Sequence, residues 1–105
     1  MHILIIGTPG KQTFENFSIN VKNINSDNIR LNVNLQDVTC KTFTLDGRNN
    51  CNCNIGFDIS NLTCEILNIK NYQQFNMDDI LLSIKECNAI NISNIDSLTF
   101  NISNT

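Results

Sequence analysis

Hydrophobic and polar residues alternate along most of this chain. Phe17, Ile19 and Val21 alternate with Asn16, Ser18, Asn20 and Lys22, and Leu31, Val33 and Leu35 with Asn32, Asn34 and Gln36. Ile55, Phe57 and Ile59 repeat the pattern, as do Leu62, Cys64 and Ile66, and later Leu98, Phe100 and Ile102. A period of two marks a strand with one buried and one wet face. Ile, Val, Phe and Thr, abundant in these runs, also favour strands.

Turn signals separate the runs. They are Gly7-Thr8-Pro9-Gly10, Asn25-Ser26-Asp27-Asn28, Asp46-Gly47 with the following Arg48-Asn49-Asn50, Ser60-Asn61, and Asn94-Ile95-Asp96. The strands predicted between them are 2–6, 14–22, 29–36, 38–45, 53–59, 62–69, 89–93 and 97–103. One segment departs from the pattern. Met77, Ile80, Leu81 and Ile84 fall at helical spacing, with Cys87 on the same face. Asn76 suits the N-cap, Asp78 and Asp79 the first turn, and Lys85 the last, which predicts a short helix at 77–86.

These elements predict an all-β fold. The expected form is a small single-domain β-sandwich over residues 1–105, jelly-roll or immunoglobulin-like, with about eight short strands. A short β-solenoid is the alternative, because Asn-rich and Ile-rich alternation suits stacking of identical residues. A weak echo links Ile24–Val33 to Ile92–Ile102, each a polar turn followed by an alternating strand. No fixed period of about 20–30 residues runs through the chain, which places the solenoid second.

Composition sharpens the surface. The chain has 105 residues, which suits one domain. Charged residues are only 16%, against about 25% in an average soluble domain. Asn fills the outward slots: there are 20 Asn and 16 Ile. AT-rich codons would enrich both, but would enrich Lys too, and Lys occurs five times. An uncharged amide surface suits close packing against a neighbour, because amides desolvate more cheaply than ammonium groups. The seven Lys and Arg residues are scattered from Lys11 to Lys85, with no basic stripe for phosphates, so nucleic-acid binding is not expected. No apolar run approaches the roughly 18 residues of a spanning helix. The Ile3–Ile6 run is too short for a signal-peptide core and lacks a basic leader. The expected setting is therefore a cell interior or a particle assembled there, with reduced cysteines.

Candidate chemistry is sparse. Gly7-Thr8-Pro9-Gly10-Lys11-Gln12 resembles a P-loop only superficially. Its glycines are too close, Gln12 replaces the hydroxyl residue, and Phe14–Val21 alternates as a strand where a helix is required. Cys40, Cys51, Cys53 and Cys64 follow a C-x10-C-x-C-x10-C pattern, with Cys87 beyond. Cys51 and Cys53 are weak candidates for a soft metal, although the C-x-C pair is tighter than a usual zinc knuckle. Cys40 and Cys64 lie on apolar strand faces and read as small core hydrophobes; a disulfide is a further alternative, although the odd count of five argues against a complete disulfide framework. His2 is the one histidine and stands near the terminus, so a nucleophile–base relay is not expected. Asp78 and Asp79 are adjacent and point apart, which suits a helix start better than acid–base work. Asp27, Asn28 and Asp96 lack the ligand spacing of an EF-hand loop. The four glycosylation sequons, at Asn16, Asn61, Asn91 and Asn101, are no excess over the roughly three that this composition yields by chance. Tyr72 and Phe75, in Asn71-Tyr72-Gln73-Gln74-Phe75, read as exposed interface anchors, while the other Phe residues read as core.

The sequence thus suggests a non-catalytic structural protein that works by assembly and holds no cofactor. Its setting would be the capsid or tail of a virus or phage with an AT-rich genome, reached through the host cytoplasm. Its partners would be other copies or other virion proteins, with neither nucleic acid nor membrane bound. The alternative is a binding module for a glycan or peptide, with its site near Asn49–Asn54 or Tyr72–Phe75.

Overall fold

The computed structural model describes residues 2–7 and 10–100. Thr8 and Pro9 of the first predicted turn, the end of predicted strand 97–103 and the sequon at Asn101 lie outside the described residues, as does the side chain of His2.

Among the described residues, seven strands and one short helix follow each other. They are β1 (His2–Gly7), β2 (Gln12–Asn20), β3 (Asn28–Gln36), β4 (Val38–Asp46), β5 (Asn52–Ser60), β6 (Leu62–Asn76), α1 (Met77–Leu81) and β7 (Ile84–Thr99). One sheet has the order β1-β3-β5 and the other β2-β4-β6-β7. Every pairing in them is parallel. The chain is therefore a parallel β-solenoid, winding from one sheet to the other in successive rungs.

This corrects the expected sandwich, whose jelly-roll or immunoglobulin-like topology requires antiparallel neighbours. Alternation reports which face of a strand is buried and says nothing of strand direction. The rung length also drifts, which hides the repeat. His2 pairs with Ile29, a step of 27, Asn28 pairs with Asn52, a step of 24, and Cys64 pairs with Cys87, a step of 23.

The alternation puts one apolar column above another. Phe17, Phe43, Leu67 and Ile90 share one register position, and Ile19, Leu45, Ile69 and Ile92 another. Phe17 stacks on Phe43 with ring centroids 5.2 Å apart and planes 9° from parallel. Leu4, Leu31 and Ile55 form a matching column in the other sheet. These columns interlock as one core.

The corners use residues that tolerate a left-handed backbone. Asp37, Asn61, Asn71 and Asn94 have φ of 53°, 59°, 66° and 54°. Short polar side chains accept this conformation at the least cost after glycine. They also bond from rung to rung: Asn61 Nδ2 donates to Asp37 Oδ1 at 2.8 Å.

The helix is shorter than the predicted 77–86. Asn76 caps it by accepting from the Asp78 amide at 3.0 Å, and Asp78 and Asp79 occupy its first turn, as expected. Lys85 and Cys87 belong instead to β7, because from Ile84 onward the chain pairs with β6. The predicted strand 89–93 and the start of 97–103 merge in that one long strand, bent at Asn94. The first sheet ends at β5, and α1 packs against β5 and β7 where a fourth strand of that sheet would run.

Candidate functional site

Three features stand out: a polar groove beside β5, a column of thiols, and the open edge of β7. The groove, about 360 Å³, lies between Cys51–Phe57, Tyr72–Asn76, Asp79 of α1 and the end of β7 at Ser97 and Thr99. It brings together four residues singled out in the sequence: Cys51, Cys53, Tyr72 and Phe75.

Their surroundings differ from the expectation. Tyr72 and Phe75, read as exposed, are only 1% and 4% exposed. The chain turns inward after the Asn71 corner, where β6 continues alongside β7 and the two rings pack 5.2 Å apart. Neither side chain is a surface anchor. The Tyr72 hydroxyl has no hydrogen-bond partner, and burial pushes its pKa up, helped by Cys53 and Asp46. The exposed lining is polar: five amides, Asn52, Asn54, Gln73, Gln74 and Asn76, with Asp79, Ser97 and Thr99 beside them.

Cys51 is buried with Val21 and Ile29, and its thiol faces the Ser26 carbonyl at 3.6 Å. Burial pushes the Cys53 thiol up to about 11; Cys51 adds to this and Arg48 opposes it. A metal ligand must be deprotonated, so this environment disfavours metal binding by Cys53. No three His, Cys, Asp or Glu side chains among the described residues gather around a metal position. Arg48 is occupied in holding the loop before β3: it donates to the Ile24 carbonyl at 2.7 Å and to the Ser26 carbonyl, and pairs with Asp27 at 3.3 Å.

The thiol column was not anticipated as a group. Cys40, Cys64 and Cys87 occupy one register position in β4, β6 and β7, beneath Phe14 of β2. Cys40 and Cys64 are buried and Cys87 is half-buried. The signal was present in the near-equal spacing of these three cysteines, which is the rung length.

A poorly shielded edge is what the low charge of the chain predicts, since few Lys residues are left to protect one, and β7 ends its sheet. Ile90 and Ile92 continue the two interior columns of the second sheet, yet each is 40% exposed. Their partners one rung back, Leu67 and Ile69, are fully buried. No strand among the described residues follows β7 in its sheet. Natural sheets commonly shield such an edge with Lys or Pro, and the stretch from Asn88 to Ile95 carries neither.

Asn side chains run up to this edge. Asn68 Nδ2 donates to Thr44 Oγ1 at 3.5 Å, and Asn91 Nδ2 donates to Asn68 Oδ1 at 3.1 Å. At the next corner Asn71 Nδ2 donates to Asp46 Oδ1 at 2.7 Å, and Asn94 Nδ2 donates to Asn71 Oδ1 at 2.8 Å.

No helix among the described residues is long and apolar enough to cross a membrane. Comparison with protein-family models, with curated proteins and with solved structures finds no match.

Proposed function

We propose that this chain is a non-catalytic assembly protein that joins a second copy of itself through the β7 edge. The observation that carries this is the 40% exposure of Ile90 and Ile92 at the end of columns whose preceding members, Phe43 and Leu67 in one and Leu45 and Ile69 in the other, are fully buried. Covering them removes apolar surface from water, worth roughly 25 cal/mol per Å². It also gives the free backbone groups of β7 partners, since an open edge templates strand pairing. The stretch from Asn88 to Ile95 is uncharged, so two copies meet there without like-charge repulsion. Asn91, at the top of its ladder, offers amide bonds to the same residue of the other copy. Two-fold pairing of this kind is the commonest oligomer symmetry.

Light scattering across a concentration series tests this reading. Dimers or larger assemblies are expected, and the double variant Ile90→Lys, Ile92→Lys should shift the chain to monomer. A wild-type chain that stays monomeric at high concentration overturns it. We place this assembly in a virion, as a capsid-associated or tail-associated component. The support is composition and architecture: a low-charge, amide-rich β-domain without catalytic residues suits repeated packing, which is an argument by analogy. Flanking genes for capsid or tail proteins would support that setting, and a metabolic gene cluster would oppose it.

A second reading, a binding module for a glycan or peptide, is favoured by the groove. Segments near Asn49–Asn54 and Tyr72–Phe75 were separate candidates, and both line it. Asn54→Ala with Gln74→Ala removes two exposed amides. Loss of binding on a glycan or peptide array would support this reading, and an array without hits would oppose it.

A further inference from the structure

The geometry points to a thiol-modification site: we propose that Cys64 and Cys87 form a disulfide that staples the terminal strand β7 to the body of the solenoid. The two residues are register partners in adjacent parallel strands, and their sulfurs lie 3.7 Å apart. Neighbouring strands are spaced by about 4.8 Å. That falls inside the roughly 4.4–6.8 Å between Cα atoms that a disulfide spans. Rotation of the two side chains therefore closes the bond without moving either strand.

Cys40 continues the column and is the obvious rival, since it is the register partner of Cys64 on the other side. Two observations favour Cys87. Sulfur–sulfur contact is made by Cys64 with Cys87, and Cys87 is half-buried whereas Cys40 is buried. Cys87 lies on the last strand of its sheet, so a reagent reaches it without opening the rungs. A shallow groove of about 550 Å³ borders Cys40 and Cys64 alike and does not include Cys87, so it opens a path to Cys64 without deciding between the two partners.

The oxidant is a small disulfide such as oxidised glutathione. The Cys87 thiolate attacks one of its sulfurs, the glutathione S–S bond breaks, and one glutathione thiolate leaves. The Cys64 thiol then loses its proton to solvent and attacks the Cys87 sulfur, which expels the second glutathione thiolate. The protein gives up two protons and two electrons, and one glutathione disulfide becomes two thiols. Burial, reinforced by Cys87 and Cys40, pushes the Cys64 thiol up to about 12. The second step is therefore slow, and sulfur contact is what favours it. The sulfur contact lies within one chain and does not depend on the assembly, whereas a second copy seated on the β7 edge slows the reagent's access to Cys87.

The experiment treats the folded full chain with oxidised glutathione, quenches in acid, blocks free thiols and maps the peptides. The expected product has lost two hydrogens and joins the Cys64 and Cys87 peptides. Cys40→Ser should leave the product unchanged. Cys87→Ser and Cys87→Ala should each abolish it, with native circular dichroism confirming that both variants fold. Limited proteolysis adds a functional readout, because the joined form should be cut more slowly between Ile84 and Thr99. A Cys40–Cys64 link, a Cys51–Cys53 link, stable glutathione adducts without a cross-link, or no reaction would each overturn the proposal.

Discussion

Asn94 sits directly one rung above Asn71 and donates its amide to the Asn71 side-chain oxygen at 2.8 Å, and both residues hold positive φ. Asn71 passes the ladder on by donating to buried Asp46 at 2.7 Å. The same residue type thus serves the corner twice, as a tolerated left-handed residue and as a rung-to-rung amide. Asn71→Ala should be the costlier loss. It strains the backbone by roughly 1–2 kcal/mol and strips a donor from a buried carboxylate, worth about 1–3 kcal/mol. Asn94→Ala should cost less, because Asn94 is exposed and its side-chain nitrogen donates to neutral amides, those of Asn71 at 2.8 Å and Asn49 at 3.2 Å, and not to a buried carboxylate. Asn94→Gly should cost least, since glycine keeps the φ and loses only the amide. Urea titrations of the three variants check this order.

Asp46 makes the same corner sensitive to acid. Burial raises its pKa, but the Asn71 amide, the ion pair to Lys22 at 2.9 Å and the nearby Lys70 outweigh this and hold it below the ordinary 3.8. A carboxyl with a depressed folded pKa stabilises the protein above its unfolded pKa, and that stability is lost as pH falls through the folded value. Stability should therefore be full above about pH 5 and decline as the pH falls past the ordinary 3.8. Asp46→Asn should be less stable at neutral pH and show a flatter acid decline. Thermal melts from pH 7 to pH 2 distinguish the two chains.

Much of this was legible in the sequence. The alternation locates β1 to β5 within two residues at each end, and the start of β6, because a half-buried strand needs period two whatever its neighbours are; β6 runs on to Asn76, past the predicted end at 69. The cap at Asn76 was legible because its chemistry is local. Strand direction was not, since parallel and antiparallel pairs bury the same alternating face. Nor was the end of the helix, which is set by pairing of Ile84 onward with a strand 22 residues earlier, Leu62 with Ile84. The polar neighbours Asn71, Gln73 and Gln74 make Tyr72 and Phe75 look like loop residues in the sequence, whereas the Asn71 corner folds both rings inward. For the candidate site, the sequence flagged residues on both sides of the groove but gave no hint that they meet, because that depends on rung stacking.

Gly47 tests how tightly the rungs stack at that corner. A Cβ there would lie 2.5 Å from the Asn71 carbonyl oxygen and 2.5 Å from the Tyr72 ring. The first atom is backbone and the second belongs to a fully packed ring, so neither yields cheaply. Gly47→Ala should destabilise the fold by about 1–3 kcal/mol, as overpacking of a filled interior does. Gly56→Ala is the control. Its Cβ would meet only the Asn32 side-chain oxygen at 3.3 Å, and a small rotation relieves that. Gly56→Ala should remain close to wild type in its melting temperature.

The helix replaces a strand, so it should matter more as a cover than as a helix. Met77 and Ile80 are fully buried in the core, and α1 lies against β5, the last strand of its sheet. Five residues are too few for a helix to persist alone in water. Its existence therefore depends on packing and on the Asn76 cap. Ile80→Ala should cost about 2–5 kcal/mol through the cavity it leaves. Asn76→Ala should cost about 1 kcal/mol, and Asn76→Asp should be near neutral because a carboxylate caps equally well. The two losses should differ in kind as well as size. Asn76→Ala weakens the start of α1 and leaves Met77 and Ile80 in place. Ile80→Ala loosens the cover over β5 and frees an edge that templates pairing with other chains. Aggregation below the melting temperature should therefore rise with Ile80→Ala and not with Asn76→Ala, and light scattering during a slow melt reads that difference directly.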